Sequence, residues 1–339
     1  MAVTYITSKQ LILELNITSE KLIEIENHFD AIPDDEWELK INIDYRVVSG
    51  NGLREYTQSG AYTIARYLEA TEKLSFWQKV FDWFTQTRKK IRQSFIRKKI
   101  LDNCSSLVRR RDTFWISRSD AVAIFGTRSD YLQKMEEYTK KFDQPLIKGQ
   151  DYDDFGNEGD RYFSMSGFLK LSRAFSGSLQ KKNRQEECLD VGEVIVPQIE
   201  DIVKRIIDRE KAINKAKSDA KKRDNKTCQV TAVKVNRVET QQLAAHHLYS
   251  RSTYPHLADC IDNLITITVE VHNQFHDHYM GGKGKPSMPE DFIQFVQQYY
   301  PDNFGVVTWL ENQKLKLGHQ DPVDTRKPHV LYLPAARVQ

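Results

Sequence analysis

Hydrophobic and polar positions along the first half of the chain spell out one series of elements twice. Tyr5-Ile6-Thr7-Ser8 and Trp115-Ile116-Ser117-Arg118-Ser119 each open a short helical pattern behind a hydroxyl residue placed to cap it. Thr18-Ser19-Glu20-Lys21-Leu22 and Arg128-Ser129-Asp130-Tyr131-Leu132 repeat that signal, with Leu22 and Leu132 standing 110 positions apart. Asp44-Tyr45 and Asp151-Tyr152 then precede Gly-bearing turns at Ser49–Gly52 and Phe155–Gly159, which read as hairpins. Arg54 to Gly60 and Arg161 to Gly167 lead into last helices reaching Leu68 and Phe175, capped by Thr57 and Ser164. The offset in this second part is 107 throughout (Tyr45 to Tyr152), so a net loss of three residues separates the two parts of the unit. Each unit is predicted as two short helices, a hairpin and a final helix.

Between the copies, Ser75 to Arg111 reads as one or two helices, with Phe76, Trp77, Val80, Phe81 and Phe84 at helical spacing and suited to packing on a repeat. Glu193 to Asp224 is predicted as a helix with a stripe of Val194, Ile195, Ile199, Ile202, Val203, Ile206 and Ile207, fading into a polar connector. Beyond it, Cys228–Thr231 and Val233–Val235 alternate as strand residues do, and Leu243–Leu248 makes a second short strand. Asn263 to Ile267 leads into a helix bearing Val271, His272, Phe275 and His276, and Pro286 to Tyr300 is expected to form a covering helix.

An apolar share of 40% with 11% aromatics describes a folded chain of two or three domains. Charges break every apolar stretch, and the N-terminus lacks a basic segment followed by an apolar core, so no membrane partner and a cytoplasmic location are expected. Cys104, Cys188, Cys228 and Cys260 lie far apart, which argues against a disulfide framework or a four-cysteine zinc site and for buried, reduced thiols.

The net charge of +3 is unevenly spread. Arg88, Lys89, Lys90, Arg92, Arg97, Lys98, Lys99, Arg109, Arg110 and Arg111 face one acid, Asp102, within their stretch, giving +9. From Lys204 to Lys226, ten basic residues stand against Asp208, Glu210, Asp219 and Asp224, giving +6. Such concentrations suggest a polyanion, and the first stretch is the candidate for tracking DNA phosphates. The repeats resemble the DNA-binding modules of phage antirepressor-type proteins in their Asp-Tyr strand and in the helix start that ends at Gly60 or Gly167. A protein-interaction module is the other reading, because a duplicated domain does not specify its ligand.

Six of nine histidines fall between His246 and His278. His272 and His276, four apart on a helix, project from one face at metal-ligand spacing. His246 and His247, adjacent on an extended segment, point to opposite sides, so one can coordinate while the other performs proton chemistry. This run resembles the HNH (ββα-metal, His-Me finger) nuclease family over residues 226–282: a His-His pair, then steps of 16 residues to Asn263, 9 to His272 and 4 to His276. The resemblance implies that His246, His272 and His276 hold one divalent metal ion, that His247 is the general base, and that Asn263 holds the loop orienting it. Three imidazoles suit Zn2+, Ni2+ or Mn2+, and the family also works with Mg2+. The chain departs from many members in lacking paired C-x-x-C motifs, since Thr231 stands where the partner of Cys228 would be, and His256 and His278 fit no slot.

The expected architecture is α+β and multidomain: two small helix-turn-helix, winged-like modules (1–72 and 113–176), basic helical connectors (73–112 and 177–225) and a ββα-metal finger with a helical extension (226–339). The expected function is metal-dependent endonuclease cleavage of double-stranded DNA, as in homing, mobile-element or defence nucleases, with no small-molecule substrate. A DNA-binding regulator whose finger does not cut and a nuclease acting on structured RNA are the alternatives.

Overall fold

The hydroxyl caps and left-handed helix ends set out the N-terminal region in a computed structural model. It describes residues 5–31, 37–48, 53–72, 85–142, 144–156, 161–234, 242–324 and 329–339, of which 72, 85–88 and 142 by backbone alone. The chain divides into two compact units, Met1–Glu200 and Asp201–Gln339, and is a mixture of helices and small sheets. Among the described residues no helix is long and apolar enough to cross a membrane.

In the first unit, β1 (Ile6–Thr7) runs into α1 (Ser8–Leu15), then α2 (Ser19–Ala31), β2 (Tyr45–Val47), β3 (Arg54–Tyr56) and α3 (Gln58–Glu72). After α4 (Thr85–Asp102) and β4 (Val108–Arg110), the order recurs: β5 (Thr113–Ser117), α5 (Arg118–Phe125), α6 (Ser129–Tyr138), β6 (Tyr152–Asp153), β7 (Tyr162–Ser164) and α7 (Met165–Ser178). Thr7 and Ser117 cap α1 and α5, and Asn16 (φ 50°) and Gly126 (φ 58°) end them in the left-handed conformation. The strand registers obey the sequence offsets. Ile6 faces Tyr56 as Ile116 faces Phe163, and Tyr45 faces Tyr56 as Tyr152 faces Phe163. A Cβ on Gly60 would stand 2.2 Å from the Asp44 carbonyl oxygen, and one on Gly167 2.1 Å from that of Asp151, so only glycine fits this helix–strand approach.

The copies differ at one edge. The first sheet is ordered β1-β3-β2, whereas the second is β4-β5-β7-β6, so Val108–Arg110 of the expected basic connector joins a sheet instead. Arg111 (φ 51°) and Asp112 (φ 60°) make the two-residue turn of that β4–β5 hairpin. The expected turn at Ser49–Gly52, the Asn157–Gly159 end of the second turn, and Phe76, Trp77, Val80, Phe81 and Phe84 lie outside the described residues.

Helix α8 (Lys182–Arg223) is longer than its apolar stripe predicts and continues from the first unit into the second. The second unit adds β8 (Leu243–His247), β9 (Leu264–Thr268), α9 (Val269–Asn273), α10 (Pro289–Tyr299) and α11 (Phe304–Leu317). Its core gathers Ile265, Ile267, Val271, Phe275, Phe292 and Val296. Three expectations are corrected here. Residues 228–231 are not a strand: Ala232 is left-handed (φ 56°) and Cys228 donates its amide to the Val233 carbonyl (2.8 Å), which folds the segment into a tight turn; Val235 lies outside the described residues. The strand pair is instead β8 with β9, so the order is strand, loop, strand, helix, with no loop before α9. The second half of α8 is also no connector, because Ala216 and Ala220 pack on Leu264 within the second unit.

Candidate metal centre

Strand β8 pairs antiparallel with β9, His246 facing Ile265 and His247 facing Leu264. Pleating sends the two histidines to opposite faces. His246 goes inward, 2% exposed, lying over Phe292 (ring centroids 4.8 Å) and edge-on to Phe275 (5.0 Å). Strand β9 ends at Thr268, whose hydroxyl accepts the Val271 amide (3.2 Å) and starts α9 at the next residue. This places His272 one turn into the helix. The backbone then widens into a π-helical turn, Gln274–Tyr279, in which Met280 donates to the Phe275 carbonyl (2.8 Å). That departs from the regular helix the apolar pattern predicts, and such turns gather at functional sites.

The outcome is three imidazoles around one point. Ring centroids lie 5.4 Å apart for His246 and His272, 5.1 Å for His246 and His276, and 4.6 Å for His272 and His276. One ring nitrogen from each falls within 4.8 Å of the other two. His246 Nε2 and His276 Nδ1 are buried and have no hydrogen-bond partner. A buried polar atom without a partner costs free energy unless something else satisfies it. Burial, together with the neighbouring imidazoles, holds His246 well below the ordinary histidine value and His272 down to about 4; burial also lowers His276. Neutral imidazoles offering lone pairs to one point are what a divalent transition ion needs, so the donor set fits the metal implied by the family resemblance.

On the other face of β8, His247 Nε2 lies 2.9 Å from the Ala258 carbonyl. A carbonyl only accepts, so Nε2 carries the proton and Nδ1 keeps its lone pair. His247 is held down to about 4, first by burial, opposed by that carbonyl bond and reinforced by the Lys217 and Arg251 charges. Asn263 is fully buried and makes three bonds: Oδ1 accepts the Tyr249 amide (2.7 Å), and Nδ2 donates to the carbonyls of Tyr249 (3.1 Å) and Leu257 (3.2 Å). It therefore ties the end of β8 to the loop one residue before Ala258. His256 and His278 are exposed and apart from the triad, His256 bonding to Gln320 (3.1 Å).

The basic stretch is arranged differently from its expected role. Arg92 is buried and paired with Asp190 and Glu186, and Lys98 with the fully buried Asp44. Lys99 sits by the buried Glu187 (4.0 Å), with burial holding its ammonium down to about 8. Arg92 and Lys99 tie α4 to carboxylates of α8, and Lys98 ties it to Asp44 in the turn before β2. Lys89 pairs with Glu193 (2.7 Å), Arg111 with Asp153 (2.6 Å) and Arg109 with Asp112 (3.5 Å), while Arg110 lies over the Phe155 ring (4.3 Å). Lys90 and Arg97 are exposed, and the Arg88 side chain lies outside the described residues. In each module the second helix is acidic: Glu20, Glu24, Glu26 and Asp30 against Lys21 in α2, and Asp130, Glu136 and Glu137 against Lys134 in α6.

Sequence reasoning missed the Ala258 carbonyl and the two cations near His247. A carbonyl leaves no mark in a sequence. Lys217 was legible only as one of ten basic residues in its stretch.

No protein-family model, curated protein or solved structure matches the chain.

Proposed function

We propose that the second unit is a metal-dependent HNH-type endonuclease acting on the phosphodiester bonds of double-stranded DNA. The observation that carries this reading is the division of labour across β8. His246 turns to two further imidazoles with unpartnered nitrogens, and His247 turns away, its tautomer fixed by Ala258. A purely structural metal site has no use for a fourth, oriented and neutral imidazole beside a ligand.

His246, His272 and His276 would hold a divalent ion, which would supply Lewis acidity toward a scissile phosphate and its leaving oxygen. His247 accepts at Nδ1 the proton of the water that attacks phosphorus. Asn263 keeps the loop in register, so that the Ala258 carbonyl stays on Nε2 and the base stays aimed. Phe275 and Phe292 close the ligand side with apolar surface, which keeps the imidazoles neutral.

The exposed acids of the second helices in the N-terminal modules, Glu20 and Glu24 in α2 and Glu137 in α6, favour a protein partner over DNA for that region. The modules then choose where the nuclease acts through another protein.

The test is supercoiled plasmid incubated with purified protein and Mg2+, Mn2+ or Zn2+, with and without EDTA, beside a structured RNA. Cutting of the plasmid that stops in EDTA and in His247→Ala is expected. Cutting that survives His247→Ala or EDTA overturns the mechanism, and cutting of the RNA alone overturns the substrate.

A further inference from the structure

The pleat that sends His246 to the ligand side sends Ala245 and His247 together to the other. Ala245 packs against Ala216, Ala220 and Leu264, so α8 covers this face of β8. Alanines four apart let the helix approach closely, and Ile213, Lys217 and Ala220 follow one another along the same helix row. Lys217 is thereby carried to the face of β8 that bears His247. The Lys217 side chain is half-buried, and among the described residues no carboxylate forms an ion pair with it. Glu210, one of the acids within reach, is bonded instead to Arg251, whose Nη1 lies 3.2 Å from Oε1. Arg209 of the same helix donates to the Pro255 carbonyl (2.7 Å), bracing the loop that presents Ala258. A half-buried ammonium with no ion pair among the described residues, on the same face of β8 as the fixed imidazole, is placed to take an anion.

We propose that Lys217 holds the phosphate: its ammonium engages a non-bridging oxygen of the DNA phosphodiester presented to His247. This rests on the nuclease reading above. Lys217 touches the reacting group but takes no proton, so its contribution is charge and position.

The experiment measures binding of a labelled duplex DNA to the full chain in EDTA across a range of NaCl concentrations, and plasmid cutting in Mn2+. Lys217→Gln is expected to weaken binding, to reduce the slope of log K against log salt by about 0.9, and to slow cutting about 10²-fold. Lys217→Arg, which keeps the charge, should recover the slope. Lys222→Gln makes the same charge change on an exposed residue of the helix and should leave both readouts unchanged. Cobalt binding by the histidines should be unaltered in Lys217→Gln, which separates a phosphate contact from a collapsed site. A wild-type slope and cutting rate in Lys217→Gln overturn the proposal while the nuclease reading stands. A wild-type chain that fails to cut with every ion supplied, but whose salt slope still drops in Lys217→Gln, overturns the nuclease reading and leaves the phosphate contact.

Discussion

Two lysine- and arginine-rich stretches invite opposite conclusions when counted and when folded. Arg88 to Arg111 carries +9 and Lys204 to Lys226 carries +6, so the first has the stronger claim on a polyanion. In the fold, the first meets carboxylates from distant parts of the chain: Asp190 and Glu186 for Arg92, Asp44 for Lys98, Glu193 for Lys89, Asp153 for Arg111. The second is the less charged, yet it brings Lys217 beside His247 without an ion-pair partner among the described residues. Segment charge sees only neighbours in sequence. Whether a cation is available to a ligand depends on what the fold places against it.

The largest effect that sharpens this contrast is on stability. Arg92→Met leaves Asp190 buried without its counterion and should cost about 3–5 kcal/mol, read by urea unfolding. Adding Asp190→Leu should recover most of the loss, since an apolar pair of similar volume replaces a buried ion pair at little cost. Lys217→Gln should stay within about 0.5 kcal/mol of wild type. A stable Arg92→Met chain that has lost DNA affinity would reverse the assignment of the two stretches.

Next comes the contrast between buried polar groups that have partners and those that do not. His246 Nε2 and His276 Nδ1 lack them, so Zn2+ or Mn2+ should stabilise the second unit, by about 2.7 kcal/mol when the free ion is at 100 times its Kd. EDTA should return the unfolding midpoint to that of the metal-free protein. His272→Ala should abolish the stabilisation while leaving the metal-free midpoint close to wild type. A wild-type midpoint indifferent to every ion would sink the triad as a metal site.

Much of this frame was legible because the signals are local. The recurring order of helices and strands shows in the sequence as caps, Asp-Tyr strands and the glycines at 60 and 167, each set by contacts within its own copy of that order. The triad was legible because strand alternation and four-residue helix spacing set directions by themselves. What stayed hidden depends on distant partners or unusual backbone. Arg92 meets Asp190 across 98 positions, β4 joins a sheet through a turn at Arg111 and Asp112, and Ala232 turns left-handed where alternation suggests a strand. The π-helical turn bearing His276 breaks no sequence rule, so nothing along the chain marks it.

Acid should act mainly on the second unit. His247 and His272 are held down to about 4 in the folded chain, while the unfolded chain carries ordinary histidines near 6.5. Between those values the unfolded state binds more protons, so metal-free stability should rise with pH from about 4 to about 6.5 and level off above it. Thermal unfolding across that range checks the sign, and His247→Gln should flatten the rise. A stability curve falling over the same interval would mean that these imidazoles are charged in the folded protein.

The smallest effect decides whether α4 keeps any claim on DNA. Among the described side chains of that helix, Lys90 and Arg97 are the exposed cations that no carboxylate pairs with. Replacing both with glutamine removes two charges, as many as Lys217→Gln with Lys222→Gln removes from α8. If availability beside the site governs binding, the α4 pair should leave the salt slope unchanged, whereas the α8 pair should lower it by about 0.9, all of it from Lys217. A drop of about 1.8 from the α4 pair would instead mean that two phosphates lie along α4. The first stretch would then be a DNA surface built from its exposed fringe, and the buried ion pairs beneath would be the scaffold presenting it.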